Sequence, residues 1–149
     1  MTEAPRSTAQ RKTDALTRLE KDKDLWVATA ASDEVPTLVP LSFWWNGSSL
    51  YVATVRTNPT ARNIMSSGKV RVVLGHTRDV VLIDAVGALV ENAELPDEYA
   101  EAYSAKCGWD PRESKGYRFF RIDPRNVECW RELNEHADRQ VMRDGRWLA

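Results

Sequence analysis

Basic side chains are concentrated in the middle of the chain, where acidic residues are absent. Between Thr54 and Arg78 there is no Asp or Glu but there are five basic residues, namely Arg56, Arg62, Lys69, Arg71 and Arg78. Asn58-Pro59 lies in this stretch and is typical of a helix start, with Asn as the N-cap and Pro at the first helical position. Unpaired N–H groups and the positive end of the helix dipole favour a phosphate at such a start.

The same turn offers neutral hydrogen-bond donors from Thr57, Asn58 and Thr60. Together with the arginines they predict a phosphate-binding site between a strand and the following helix. An ordinary capped helix with arginines scattered over its surface fits the spacing equally well, because such helix starts are common.

The other residues that could carry chemistry have no recognisable spacing. His76 and His136 are not in a metal-ligand pattern, and the chain has neither a glycine-rich phosphate loop nor a GxSxG motif. Asp84 lies in an apolar segment and is a candidate buried carboxylate, although a hydrogen-bonded Asp at a rim is the simpler interpretation. Trp44 and Trp45 point to opposite faces of one strand, so one of them meets solvent, a partner or a ligand.

The composition excludes several classes of protein. With 21 Lys and Arg against 22 Asp and Glu, the net charge of −1 gives no reason to expect nucleic acid or an acidic membrane as partner. No apolar run approaches the roughly 20 residues of a membrane helix, and the N-terminus lacks the apolar stretch of a secretory signal. The two cysteines, Cys107 and Cys129, do not suggest a disulfide scaffold, so we expect a cytoplasmic protein.

The pattern of apolar residues and turns predicts one domain over residues 1–149. Residues 1–9 are expected to form a loose leader, and residues 131–149 a polar tail. Short strands joined by tight turns, such as Asn46-Gly47, indicate a mostly antiparallel barrel with helices at its ends. The expected helices cover 8–23, 59–67 and 96–107, and the expected strands cover 25–31, 35–45, 50–55, 69–75, 79–92, 117–122 and 126–130.

The second strand carries two prolines, Pro36 and Pro40, which cannot donate to a ladder, so part of it is predicted to be an edge or bulged. One face of this strand presents Val39, Leu41 and Phe43, and the other presents Leu38 and Ser42 with the prolines.

Several segments in this order resemble a known family. They are Val39-Pro-Leu-Ser-Phe43, Tyr51-Val-Ala-Thr54, Thr57-Asn-Pro-Thr-Ala-Arg-Asn-Ile64 and Lys69-Val-Arg-Val-Val-Leu74. Together they resemble the flavin-binding split barrel of the pyridoxamine 5′-phosphate oxidase-like superfamily, and most closely its small actinobacterial flavin- or deazaflavin-dependent reductases. The resemblance implies a mostly β fold, a six-stranded antiparallel split β-barrel with a few short helices. It also implies a homodimer that holds FMN or the deazaflavin coenzyme F-420 in an interface groove.

The resemblance also implies roles for individual residues. Main-chain groups of Val39, Pro40, Leu41 and Ser42 would flank the cofactor ring, and Trp130 would approach it from the neighbouring subunit. Asp79 stands where the oxidases often have a Gln that faces the ring. The residues expected around the phosphate are Thr54, Thr57, Asn58, Arg62 and Asn63, with Arg56 or Arg78 in place of a family Lys that is Thr60 here.

Departures from the oxidase pattern argue against pyridoxamine phosphate oxidase activity itself. Arg131-Glu132 replaces the expected Gln-Gly, and residues 134–139 are a broken copy of the family's substrate-binding stretch. The resemblance therefore implies an oxidoreductase that moves hydride between the cofactor and a small organic substrate. The alternative is a protein on the same fold that binds FMN or haem without turnover.

Overall fold

The computed structural model of the chain describes residues 3–149. In this part of the chain no helix is long and apolar enough to cross a membrane. The helices run over Thr8–Lys21 (α1), Pro59–Ser67 (α2) and Asp97–Cys107 (α3), with single 3-10 turns at Pro111–Glu113 and Leu133–Glu135. The strands run over Asp24–Thr29 (β1), Thr37–Trp45 (β2), Leu50–Val55 (β3), Lys69–His76 (β4), Asp79–Val90 (β5), Tyr117–Trp130 (β6), Gln140–Arg143 (β7) and Arg146–Trp147 (β8).

Six strands close into an antiparallel barrel. Their order is β3-β2-β1-β4-β5-β6, and β6 pairs back with β3 to complete the ring. Every neighbouring pair in the ring is antiparallel. The prediction of a mostly β, six-stranded antiparallel split barrel with a few short helices is confirmed.

The barrel interior is filled by alternate residues of the strands. On β2, Phe43 is fully buried and Val39 and Leu41 pack against the same core. Their neighbours Leu38 and Pro40 point outwards and are exposed, as the alternation predicts. A smaller apolar cluster lies between β3 and α3, around the buried ring of Tyr103.

The last barrel strand is continuous, whereas the sequence predicted two strands divided at Asp123-Pro124. The ladder with β5 shifts register at this point, so that Asp84 faces Asn126 while Ala85 faces Pro124. A bulge accepts a proline without ending the strand, because the irregular position needs no ladder N–H.

The expected polar tail is an ordered part of the fold. Strands β7 and β8 form a hairpin beside β6, and Val141 is fully buried. Asp144 and Gly145 both have positive φ (50° and 81°), as a two-residue type I′ turn requires. The tail therefore extends the sheet beyond the barrel.

The expected loose leader is also ordered over its described residues, while Met1 and Thr2 lie outside them. Helix α1 begins at Thr8, and the hydroxyl of Ser7 caps it by accepting from the Gln10 N–H at 3.1 Å. The guanidinium of Arg6 lies 2.7 Å from the Glu135 carboxylate. Because Glu135 belongs to the tail, this ion pair joins the two ends of the chain.

Helix α2 has the bounds that the sequence predicts. It starts at Pro59 and ends at Gly68, whose φ of 69° is the left-handed cap that glycine favours. It packs against the barrel through Ile64, which approaches strand β5 at Gly87. A Cβ on Gly87 would lie 3.0 Å from Ile64 Cγ2 and 2.8 Å from Val70 Cγ2, so the absence of a side chain allows this close packing.

Candidate functional site

The barrel is split between β2 and β3. These strands pair only through Phe43–Trp45 and Leu50–Val52 at their hairpin. Beyond it, residues 37–42 of β2 pair with β1 on one edge and, among the described residues, with no strand on the other. On this unpaired edge of Val39–Ser42, Pro40 has no N–H, and the Ser42 carbonyl accepts from the Tyr103 hydroxyl at 3.5 Å.

The N-terminus of α2 lies beside this split and leaves backbone donors unused. Among the described residues, no acceptor is found for the N–H groups of Thr60 and Ala61. Asn58 occupies the N-cap position, but its side chain does not cap the helix. Instead its Nδ2 donates to Thr54 Oγ1 at 3.2 Å. Thr60 and Ala61 are only 2% and 0% exposed, so what this terminus offers an anion is the positive end of the helix dipole.

Arg56 and Arg62, the basic residues closest in sequence to the start of α2, have no protein partner among the described residues. Within residues 3–149 the guanidinium groups of Arg56 and Arg62 make no hydrogen bond or ion pair. Both residues are exposed, and so is Thr57, which lies just before α2. By contrast, Arg78 pairs with Glu132 at 2.8 Å. Arg56 is therefore the better placed of the two residues considered as a substitute for the family's Lys.

Thr60 and Asn63 are not available in the way the sequence suggested. Thr60 is only 2% exposed, so its side chain faces the barrel. This position therefore does not correspond to an outward-facing Lys that binds phosphate. Asn63 is also buried, and its Nδ2 donates to Thr29 Oγ1 at 3.2 Å and to Thr37 Oγ1 at 3.4 Å. Asn63 thus holds α2 against β1 and β2, whereas the adjacent Arg62 faces outwards.

A cleft of about 480 Å³ lies at this junction. Arg62 and Pro59 line it from α2, Thr37 lines it from β2, and Asp33 lines it from the β1–β2 turn. Its volume is in the range of small-molecule sites. Asp33 is the one feature that opposes an anion here, since its carboxylate shares the cleft with Arg62.

Asp79 is held by arginines of its own chain. Its carboxylate lies 2.9 Å from Arg18 and 3.5 Å from Arg131. Burial works to raise the pKa of Asp79, but the hydrogen bond and charge of Arg18, helped by Arg131, outweigh it and hold the pKa below its usual value. The position that resembles a ring-facing Gln therefore carries a carboxylate that anchors α1 to the start of β5.

Trp130 ends β6 opposite Val80 and is half-buried. Two residues of the following segment flank its indole. The His136 ring meets it edge to face with centroids 6.1 Å apart, and the Arg139 guanidinium lies 5.8 Å from the ring centroid. The sequence analysis identified neither residue as a neighbour of Trp130, although Arg139 follows Trp130 by only nine residues.

The remaining candidates have structural roles. Asp84 is about half-exposed and lies 3.6 Å from Arg71, so it is a rim carboxylate in an ion pair and not a buried acid. His76 is exposed, and its Nδ1 accepts from the Arg78 N–H at 3.2 Å. Trp44 packs with Tyr51 and Tyr99 under α3, whereas Trp45 packs against the barrel core.

The arrangement suits a planar ligand with a phosphate. The positive end of the α2 dipole and the guanidiniums of Arg56 and Arg62 suit the phosphate, and the unpaired edge of β2 suits the polar rim of a ring system. Asp79 and Trp130 lie at the other end of the barrel from Thr37 and α2. Within one chain the two groups of candidate residues are therefore apart.

Structures already known share this fold. A Listeria innocua protein assigned as a pyridoxamine 5′-phosphate oxidase superposes with a TM-score of 0.67 at 17% identity, over 83% of this chain and 98% of the other. An F-420 reductase gives 0.62 at 15% identity, over 74% and 93%. The haem storage protein HutZ of Vibrio cholerae gives 0.56 at 17% identity, over 76% and 89%. At these identities the likeness concerns the fold.

A search among curated protein sequences finds no match. The family model for pyridoxamine 5′-phosphate oxidase matches residues 12–131, which include the barrel, α2 and Trp130. The chain therefore belongs to the pyridoxamine 5′-phosphate oxidase family.

Proposed function

We propose that the protein is an oxidoreductase that uses FMN or the deazaflavin coenzyme F-420 to act on a small organic substrate. The observation that carries the proposal is the N-terminus of α2 without a side-chain cap, with the exposed and unpaired Arg56 just before the helix and Arg62 on it, in a chain of the pyridoxamine 5′-phosphate oxidase family. When bound, the cofactor supplies hydride transfer, and the protein binds, orients and shields it.

The chain's own groups divide the work of binding. Arg62 and Arg56 neutralise the phosphate, which the positive end of the α2 dipole also favours. The free edge of β2 over Val39–Ser42 orients the ring through main-chain groups, which discriminate by hydrogen-bond pattern and not by charge. At the Ser42 end of this edge the Ser42 hydroxyl donates to the Asp24 carboxylate at 2.8 Å, and we assign neither residue a role as general acid or base.

We further propose that the protein works as a homodimer, with no nucleic acid or membrane as partner. On the outer face of the adjoining strands β1 and β2, Trp26 (49%) and Leu38 (63%) are exposed beside Pro40. A contiguous apolar patch on so small a chain is typical of an interface. A second copy on this face fits best, because each chain carries the phosphate half of the site at one end and Trp130 at the other.

Binding and turnover are tested with the purified protein and both cofactors. We expect the apo-protein to bind FMN or F-420 stoichiometrically, and the bound cofactor to bleach with a reductant and regain absorbance with an acceptor. Equilibrium titration of each cofactor decides between them, since both place a phosphate at the same helix start. Absence of binding by either cofactor would overturn the proposal.

A second candidate function is binding of haem or FMN without turnover. The fold shared with the haem storage protein HutZ favours it, and His136 beside Trp130 offers an exposed imidazole. A Soret band that shifts in His136→Ala, with no redox cycling of flavin, would favour this alternative.

We place the protein in the cytoplasm. Cys107 and Cys129 are both free thiols in the described structure, and Cys129 is buried in the core. Unpaired cysteines suit a reducing compartment.

A further inference from the structure

The end of β6 and the segment after it are held by the N-terminal part of the chain. Residues 130–139 comprise Trp130, which ends β6, and both side chains that flank its indole, and they are called the Trp130 loop here. It has one 3-10 turn and otherwise irregular backbone. Such a loop has little intrinsic order, so its conformation depends on what holds it.

Arg11 of α1 reaches the loop from inside the protein. The residue is only 3% exposed, and its Nη1 donates to the carbonyl oxygens of Cys129 at 3.0 Å, Glu135 at 3.0 Å and Asp138 at 3.3 Å. Its Nε donates to the Arg6 carbonyl at 3.1 Å. The three acceptors of Nη1 lie just before the loop and in its second half, so one guanidinium holds the two ends of the loop together.

The guanidinium of Arg11 is suited to holding these carbonyl groups together. Among the described residues no carboxylate lies within salt-bridge distance of it, so its charge is balanced by carbonyl dipoles alone. A planar fork of donors can meet several carbonyls at fixed angles, which the ammonium of a Lys cannot reproduce.

The Arg6–Glu135 ion pair also holds the Trp130 loop in place. The buried Glu135 carboxylate accepts from the Arg6 N–H at 2.8 Å and from its Nη2 at 2.7 Å. The same carboxylate accepts from the Arg131 N–H at 2.8 Å, so it pins the start of the loop as well. Charge-assisted bonds of this length are strong.

We propose that Arg11, supported by the Arg6–Glu135 pair, is a positioning residue that fixes the Trp130 loop so that the indole of Trp130 is held ready for the flavin ring. The proposal rests on the proposed function for its effect on affinity, but its structural half stands on the carbonyl contacts alone. Arg11 touches no part of the cleft beside α2 and acts only through the loop.

The test measures amide hydrogen exchange and FMN affinity in Arg11→Lys, with Lys12→Gln as the matched control. Lys12 is the next residue of α1 and is partly buried, and its ammonium donates to the Ala149 carbonyl at 2.7 Å and lies 5.6 Å from the centroid of the Trp147 ring. We expect exchange in residues 131–139 to rise at least tenfold in Arg11→Lys, with β1 and β4 unchanged, and FMN affinity to fall about tenfold. Lys12→Gln should alter neither. Should Arg11→Lys fail to fold, Glu135→Gln takes its place with a smaller change in the same direction.

A double-mutant cycle separates positioning from general destabilisation. In a Trp130→Phe background, Arg11→Lys should change FMN affinity less than twofold, because the loop then has no indole to position. Equal losses of affinity in both backgrounds, or faster exchange spread over the whole barrel, would overturn the proposal. If the loop loosens while FMN affinity stays unchanged, the positioning role is wrong and the proposed function stands. If the wild-type protein binds no flavin, the proposed function fails and the effect on the ring fails with it.

Discussion

The side-chain amide of Asn58 donates a hydrogen bond to the buried hydroxyl of Thr54, 3.2 Å away, and so turns away from the helix it precedes. An Asn at this position ordinarily accepts from the first-turn N–H groups and satisfies them. Because Thr54 holds the amide, the Thr60 and Ala61 N–H groups have no capping acceptor among the described residues. Thr54, next to the last residue of β3, therefore leaves the start of α2 without a side-chain cap.

Thr54→Val tests this relationship. The substitution keeps the shape of the side chain but removes the acceptor, so Asn58 is released to cap α2 and to compete with the phosphate. We expect FMN affinity to fall about threefold to tenfold, as one hydrogen bond of roughly 1 kcal/mol implies, without loss of thermal stability. Titration with riboflavin, which lacks the phosphate, is the control. An unchanged FMN affinity would show that Asn58 does not compete for the anion.

Asp33→Asn tests the charge balance of the cleft. Removing the carboxylate that shares the cleft with Arg62 should tighten FMN binding, and the gain should shrink with added salt as screening lowers the repulsion. Asp110→Asn is a suitable control, since Asp110 pairs with Arg112 in the loop after α3. Tighter binding of riboflavin as well would mean that Asp33 acts on the ring or on the fold and not on the phosphate.

The Glu135 carboxylate gives stability a defined pH dependence. Burial opposes the charged form, but the hydrogen bonds from Arg6 dominate, with help from the Arg131 N–H, and they lower its pKa from 4.5 to about 2. Between these values the unfolded state binds more protons than the folded state, so stability falls as pH drops from about 4.5 towards 2. The loss is on the order of 3 kcal/mol when complete.

Glu135→Gln should flatten this dependence. The variant should be less stable than the wild type at pH 7, and the difference should narrow as the pH falls, because the wild-type carboxylate then becomes neutral too. Urea unfolding at a series of pH values measures both curves. Parallel curves for the two proteins would show that other carboxylates, such as Asp79, cause the acid sensitivity.

The proposed dimer is tested on the outer face of β2. Leu38→Asp places a charge in the centre of the exposed apolar patch, where pairing would bury it without a partner. We expect light scattering to give a dimer for the wild type and a monomer for the variant at micromolar concentration. Leu148→Asp, at an exposed position of the tail, should remain dimeric. A wild-type monomer would contradict the proposed assembly.

Local signals explain where sequence reasoning succeeded. Helix α2 has its predicted bounds because Asn58-Pro59 and Gly68 fix both ends by backbone preferences alone. The continuous β6 was missed because a bulge at Pro124 depends on the partner strand. The hairpin of the tail carried a usable signal in Asp144-Gly145, a typical two-residue turn.

Sequence reasoning about the site failed where side chains pair over long distances. Asp79 meets Arg18, which is 61 residues away, and no spacing rule predicts that ion pair. The burial of Thr60 and Asn63 could have been inferred from the helical period, since Ile64 lies on the same face. Arg62 is exposed, and its predicted role towards a phosphate stays a prediction.

The central claim is that the phosphate of the cofactor lies at the start of α2, and the binding of FMN and riboflavin to wild type and Arg62→Ala tests it most directly. A charge-assisted bond of about 1.5–3 kcal/mol predicts a tenfold to hundredfold loss of FMN affinity in Arg62→Ala, and no change for riboflavin. Arg112→Ala, which removes an arginine paired with Asp110, should bind both ligands as the wild type does. Equal losses for FMN and riboflavin in Arg62→Ala, or no loss for either, would contradict a phosphate site at this helix.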